Sequence, residues 1–565
     1  VEGKFKMRNF KFERKGILFL VVVLCLATGL SVFLMHYRFA VSFDEVNYLK
    51  LAASGSTKGF SNVLHPFWSP FFPLCVALFS KVIPNVELAG RLFSILCGVL
   101  IIIPIFLFTK FYFNQKVARY AVLLLAFFPS LAFINTAVMS ESLYSLLITS
   151  GMIVGWITLR KQSWFLGIAV GLLIGFAYLT RPEGIGFLIV FVGVSIFLSI
   201  SMILKKKGVY RLLWIPLMAI VGFSFAAAPY LVYLHKATGE WTISAKRKSL
   251  HEGEVFALAE RTESFQDVFR TLSEDNTQVP IDQIYHIGNF LQAERQRGKP
   301  LVEISPSVFL KKYVKNLYQI LNYVIPQVLT TTIFILMILG LLGEAWSKER
   351  TLRELYFLVC VGFFWFIVIP LFHINERYFL PFLPICFMWV GNGLDTLIFW
   401  LSKTLKKSVH LTRKISYDEL AKGIVLFFIL GAVFLPELGK VMIRDRWSDD
   451  YFADPIEQRT AGLWLKEHTS STPIIMSRNH TVDFYAENYN IAESVTIPQN
   501  DLNRVLSYAK YRGVDYIVLN ERYKKDFPLI AHLLEEKDIP NDLKLVYTDQ
   551  DKSKLRTVIY QLVKD

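Results

Sequence analysis

Cysteine is scarce. The 565 residues hold five, Cys25, Cys75, Cys97, Cys360 and Cys386, all inside apolar segments and none in a hydrophilic loop. That excludes a disulfide framework and a cysteine-based metal site, and leaves the five as small buried hydrophobes. Charge is thin too, at 19% of residues against 53% hydrophobic. A soluble domain ordinarily carries about 25% charged residues, so a soluble protein of this length is excluded. Acidic residues are the rarer sign, 46 against 61 basic, for a formal charge of +15. Nucleic acid is not the implied partner, because the basic excess sits in short loops between apolar runs. Such loops mark the cytoplasmic flanks of membrane spans. An internal repeat, frequent in transporters, is also lacking.

Long apolar runs are plentiful, and aromatics reach 15% with 48 Phe, as suits side chains facing lipid or the headgroup belt. Stretches long enough for a hydrocarbon core of ~30 Å fall at about 16–37, 87–109, 117–137, 139–159, 163–180, 183–204, 211–234, 323–344, 354–373, 378–400 and 420–440. They predict a mainly α polytopic membrane protein of about eleven transmembrane helices. The first run follows Lys4, Lys6, Arg8, Lys11, Arg14 and Lys15. It exceeds the roughly 7–15 residues of a signal-peptide core and lacks a small-residue cleavage site, so it reads as a retained anchor.

A twelfth stretch, 66–84, is settled by charge. With it not crossing, the basic N-terminus and the clusters Lys110/Lys116/Arg119, Arg160/Lys161, Lys205/Lys206/Lys207/Arg211, Lys348/Arg350/Arg353 and Lys403/Lys406/Lys407/Arg413/Lys414 all fall on the cytoplasmic side. With it crossing, every later cluster falls outside. The stretch therefore reads as re-entrant or interfacial, in keeping with Pro66, Pro70, Pro73 and Pro84. Residues 39–84, 236–322 and the C-terminal part from 444 then face outward. The expected division is a membrane module over 1–443 and an extracytoplasmic α/β domain over 444–565. The expected location is the plasma (inner) membrane, multi-pass, with the N-terminus cytoplasmic and the C-terminal domain periplasmic.

The C-terminal part has a soluble composition, with helices predicted over 455–468 and 502–511 and strands over 473–476, 513–519, 543–547 and 555–562. Alternating strands and helices suggest a small α/β domain. It has no Gly-rich phosphate loop, and His480 with Asp483 reads as a polar loop after a strand.

The chemistry concentrates just past the first span, in Ser42-Phe43-Asp44-Glu45-Val46. Adjacent carboxylates there suit a helix start. They equally suit a general base, since a carboxylate beside a low-dielectric surface has a raised pKa and can take a proton from a hydroxyl acceptor. Other polar residues gather on the same outer face: Glu141, Arg181-Pro182-Glu183-Gly184, His373, Arg377-Tyr378, and His65 with Trp68. Arg181 and Arg377 are the candidate phosphate ligands, because guanidinium grips phosphate as a fork. His65, Trp68, Glu183 and His373 are candidate substrate contacts.

The Phe43-Asp44-Glu45-Val46 motif resembles the acidic motif in the first outer loop of protein O-mannosyltransferases. The Pro-rich 66–73 segment, Arg91, Arg181-Pro-Glu-Gly, and Arg377-Tyr378 with Pro381 and Pro384 resemble the wider bacterial group that includes aminoarabinose transferase (glycosyltransferase families 39 and 83). The resemblance covers about residues 10–440. It implies a GT-C fold and transfer of a sugar from a polyprenyl-phosphate carrier to a hydroxyl acceptor such as a glycolipid, a polysaccharide or a lipid A-like molecule. It also implies that Asp44 or Glu45 is the catalytic base and that Glu141 is the second acidic residue. The sequence departs from the eukaryotic enzymes in lacking a β-trefoil in 236–322. That loop instead opens with Trp241, Lys246, Arg247, Lys248 and His251, where Lys246 would contact donor phosphate or anionic lipid headgroups. No cofactor is expected. A divalent ion between Glu141 and Asp44 is chemically open, but the resembled enzymes generally need none, so no metal is expected. The rival readings are a transporter or flippase, a glycan polymerase or ligase, and an inactive scaffold.

Overall fold

The computed structural model describes residues 14–204, 210–239, 241–244, 306–371, 374–408, 416–443, 454–490, 493–497, 501–549 and 555–563. Helix α1 (Arg14–Met35) is apolar over 22 residues, about 33 Å of helix, enough to cross a bilayer. After it, the Ser42 N–H donates to Glu45 Oε2 at 2.7 Å and starts α2 (Phe43–Lys58), as in one half of a capping box. Helix α3 (Phe71–Ser80) follows. Its ten residues rise only about 15 Å, half of a hydrocarbon core. The 66–84 stretch is thus a short helix laid against α2, too short to cross.

The chain continues through α4 (Val86–Leu100), α5 (Ile102–Tyr112), α6 (Gln115–Ala126), α7 (Pro129–Ile134), α8 (Glu141–Lys161), α9 (Trp164–Thr180), α10 (Ile185–Leu204) and α11 (Tyr210–Thr238). Among the described residues eight helices are long and apolar enough to cross a membrane, or nine if one bent pair counts as a span. The expected eleven stretches are all helical, but three are built differently. The 117–137 stretch breaks before Pro129, whose ring cannot continue the α6 hydrogen-bond ladder. The 163–180 stretch is a helix of 17 residues. The 323–344 stretch bends by 96° between Phe309–Leu329 and Thr331–Leu342, at Thr330 with φ +52°, a backbone region that halts a helix.

One apolar core runs through the bundle. Close helix approach depends on missing side chains: a Cβ on Gly171 of α9 would lie 2.0 Å from the Ala219 carbonyl oxygen of α11. Membrane helices pack this way because van der Waals contact replaces the hydrophobic effect there. Of the cysteines, Cys97, Cys360 and Cys386 are buried and Cys75 is partly so. Cys25 is exposed on α1, on a face where lipid would be its neighbour.

The C-terminal region forms a five-stranded sheet in the order β2-β1-β3-β5-β4, with β1 (Ile475–Ser477), β2 (Val495–Thr496), β3 (Tyr516–Asn520), β4 (Leu543–Thr548) and β5 (Thr557–Leu562). The first three are parallel and the last two antiparallel to their neighbours. Helices Ile456–His468 and Leu502–Tyr511 flank the sheet, and its core draws on its own residues. The four strands and two helices expected from the pattern all form. The short β2 and a helix at Thr481–Tyr485 had no such signal. His480 and Asp483 are buried at that helix rather than in a polar loop.

Candidate active site

The first turn of α2 points Asp44 and Glu45 in different directions. Glu45 is buried, with both oxygens engaged by backbone: the Ser42 N–H donates to Oε2 and the Val138 N–H to Oε1, each at 2.7 Å. It ties the start of α2 to the turn before α8. Asp44 keeps 25% of its side chain exposed, and its Oδ2 accepts from Arg377 Nη1 at 2.6 Å.

Glu141 opens α8 from a buried position, where the helix N-terminus favours a carboxylate. Its Oε1 meets Arg181 Nη1 at 2.7 Å and lies 3.9 Å from Arg377 Nε. Its Oε2 accepts no hydrogen bond from the described residues. Arg181 also pairs with Glu183 at 3.5 Å. The Tyr378 ring lies 5.3 Å from both guanidinium carbons, within cation–π range. Asp44, Glu141, Arg181, Glu183, Arg377 and Tyr378, which come from four separate parts of the chain, therefore form one cluster, with three carboxylates facing two guanidiniums.

His65 and Trp68 sit behind this cluster. His65 Nδ1 accepts the N–H groups of Phe67 and Trp68, each at 3.1 Å, and its carbonyl accepts from the Tyr230 hydroxyl at 2.9 Å. Trp68 packs edge-on against Tyr48 at 5.3 Å between ring centroids. Both are buried, and Trp68 reaches the cluster through Tyr48. Arg91 lies outside the cluster, paired with Glu87 at 2.8 Å. Lys246 and His373 lie outside the described residues.

Tyr48, one turn after Asp44, is a member of the site that the sequence reading passed over. Its hydroxyl donates to Ser140 Oγ at 3.2 Å, next to Glu141, and burial pushes it well above its usual pKa range, so it stays a neutral donor. The i,i+4 spacing from Asp44 was the available signal.

The arrangement suits transfer to a hydroxyl with departure of an anionic group. Asp44 is reachable from solvent. Arg181 and Arg377 are paired yet retain further N–H donors for an anion. Buried Glu141 holds both arginines in place.

Residues 65–229 match the family model described as dolichyl-phosphate-mannose-protein mannosyltransferase. That range includes Glu141, Arg181 and Glu183 but not Asp44 or Arg377. No curated protein matches the chain. Among solved structures, the archaeal oligosaccharyltransferase AglB from Archaeoglobus fulgidus, in complex with an inhibitory peptide and a dolichol-phosphate, is similar at 13% identity and a TM-score of 0.55 over 90% of this chain and 70% of that one. ArnT from Cupriavidus metallidurans bound to undecaprenyl phosphate is similar at 13% identity and a TM-score of 0.53, over 97% of this chain and 98% of that one. Its apo state gives 12% and 0.54. The expected fold is thereby borne out: membrane bundle and C-terminal sheet together have the architecture of those structures.

Proposed function

We propose that this chain, a membrane protein of the GT-C superfamily, takes a sugar from a polyprenyl-phosphate donor and transfers it to a hydroxyl acceptor at the outer face. The observation that carries the reading is the cluster in which Arg377 joins Asp44 and Arg181 joins Glu141 at one end of the bundle. Asp44 is the base, because it alone of the adjacent pair has an accessible carboxylate; Glu45 holds the loop through its two backbone bonds. The acceptor oxygen attacks the anomeric carbon as Asp44 takes its proton, and the C–O bond to the carrier phosphate breaks. Arg377 and Arg181 stabilise the departing lipid phosphate, where preorganised charge acts most strongly. A single displacement of this kind inverts the anomeric centre and needs one positioned base.

The family match and the polyprenyl phosphates bound in the similar structures support the donor class. A glycolipid, polysaccharide or lipid A-like acceptor at the plasma membrane fits a chain in which Arg160, at the far end of α8 from Glu141, belongs to one of the basic clusters. In this reading the N-terminus is cytoplasmic and the C-terminal region faces outward. The reading uses no metal, so EDTA leaves the rate unchanged. The test is incubation of purified protein with radiolabelled polyprenyl-phosphate sugars and candidate acceptors, comparing wild type with Asp44→Asn and Glu45→Gln. Transfer by Asp44→Asn at the wild-type rate overturns the base assignment. Movement of intact donor across a vesicle membrane without its consumption would favour a flippase instead.

A further inference from the structure

A second cluster of buried charge lies outside the site, where α2 meets the C-terminal sheet region. Lys50, on the same helix as Asp44, is buried with its Nζ 2.6 Å from Ser494 Oγ and 3.3 Å from Asp483 Oδ2. The same Asp483 oxygen lies 3.1 Å from His480 Nδ1. Burial opposes charge on Asp483, yet Lys50 and His480 beside it outweigh that and hold its carboxyl below the usual range. Burial also lowers the pKa of the Lys50 ammonium, and the two buried groups face each other at 3.3 Å.

The strand of chain entering α2 is gripped from the same side. The Val41 N–H donates to the Tyr485 hydroxyl at 3.2 Å, and the Val41 carbonyl accepts from Thr481 Oγ1 at 3.3 Å. Further back, the Phe39 N–H donates to Asp454 Oδ2 at 3.0 Å. The segment carrying Asp44 is thus held before it by backbone bonds and after it by a buried ion pair.

Buried ion pairs are poor sources of net stability, because desolvation offsets their attraction. What they supply is direction: a lysine fixed between Asp483 and Ser494 sets the rotation and height of α2, which non-directional apolar contact does not. Six residues separate Asp44 from Lys50, close to 120° around the helix, so one face meets the C-terminal region while another presents Asp44 to Arg377. We infer that the C-terminal region is part of the catalytic apparatus, with Lys50 and Asp483 as positioning residues that hold α2 so that Asp44 stands in register with the arginines. This rests on the proposed transfer reaction.

The test uses the full-length protein in lipid nanodiscs with Lys50→Met, Asp483→Asn and the paired Lys50→Met/Asp483→Leu. Three things are measured: kcat and donor KM, the thermal midpoint, and amide exchange across residues 43–58. Misplacing a base by about 1 Å costs up to about 100-fold. The single variants are expected to lose kcat on that scale with donor KM unchanged, while α2 amides exchange faster. The paired variant, which leaves no orphaned charge, is expected to regain the thermal midpoint but keep the low kcat and fast exchange. Recovery of kcat in the paired variant, or wild-type kcat in the single ones, overturns the inference. If wild-type protein consumes no donor, the transfer reading has failed, and exchange then decides the clasp alone. Unchanged α2 exchange in the single variants refutes it.

Discussion

Two arginine–carboxylate clusters lie at opposite ends of α8, and they differ in how completely they are closed. At the far end, Glu354 has both oxygens engaged. Oε2 accepts from the Trp389 indole at 2.6 Å, and Oε1 meets Arg353 and, at 3.5 Å, Arg350. Arg350 and Arg353 spend other N–H groups on the Gly340 and Tyr112 carbonyls, although the Nε of each makes no hydrogen bond among the described residues, so it is the carboxylate that is closed here. At the near end, Glu141 Oε2 has no hydrogen bond among the described residues, and Asp44 and Arg377 keep 25% and 34% of their side chains exposed. The residue types are the same. A cluster that only holds helices together satisfies its carboxylate, since an unmade buried bond is costly. A cluster that receives a ligand leaves an atom open and a way in from solvent.

Substitutions separate the two ends. Asp44→Asn keeps the shape and removes the proton acceptor, so kcat should fall by about 10²–10⁴-fold, the range for general base catalysis. The thermal midpoint should barely move, because Asp44 is exposed enough for water to replace its partner. Glu354→Gln should do the reverse. Breaking a buried pair costs about 3–5 kcal/mol, visible as a lower midpoint in a fluorescence melt, while the folded fraction keeps its wild-type kcat. If Glu354→Gln instead stops transfer at an unchanged midpoint, the contrast between open and closed clusters collapses.

Arg377→Lys asks a narrower question at the open end. Lysine keeps the charge but loses the fork. Losing one charge-assisted hydrogen bond of about 1.5–3 kcal/mol would slow kcat by roughly 10–100-fold. If the guanidinium acts on the leaving phosphate, the loss is in kcat with donor KM little changed. A loss confined to KM would make Arg377 a ground-state contact only.

Much of this was legible in the sequence. The apolar runs located the helices, and the basic loops assigned 66–84 a non-crossing role, which a ten-residue α3 fits. Alternating pattern located four of the five strands. Asp44, Glu141, Arg181, Glu183 and Arg377 were each marked by charge at the expected outer end of a span, Tyr378 by standing next to Arg377, and the fold gathers them. Charge alone did not divide Asp44 from Glu45; the Ser42-x-x-Glu45 spacing of a capping box was the local signal, and the distant Val138 N–H, 93 positions along the chain, completes the claim on Glu45. His65 looked like a contact residue because its role, accepting two N–H groups in its own turn, leaves no signature in composition. The Lys50–Asp483 pair joins positions 433 apart, and no local period connects them.

The smallest expected effect tests the closed end at its rim. Lys116 pairs with Asp395 at 2.7 Å, but 44% of the lysine side chain is exposed. An ion pair so open to solvent contributes about 0–1 kcal/mol, and salt screens it further. Lys116→Met should therefore shift the thermal midpoint slightly in low salt, not at all in high salt, and leave kcat untouched. A large, salt-independent loss would mean that the rim is as desolvated as Glu354. The closed cluster would then extend to the lipid headgroup level, and the distinction between its buried centre and its wet edge would have to be redrawn.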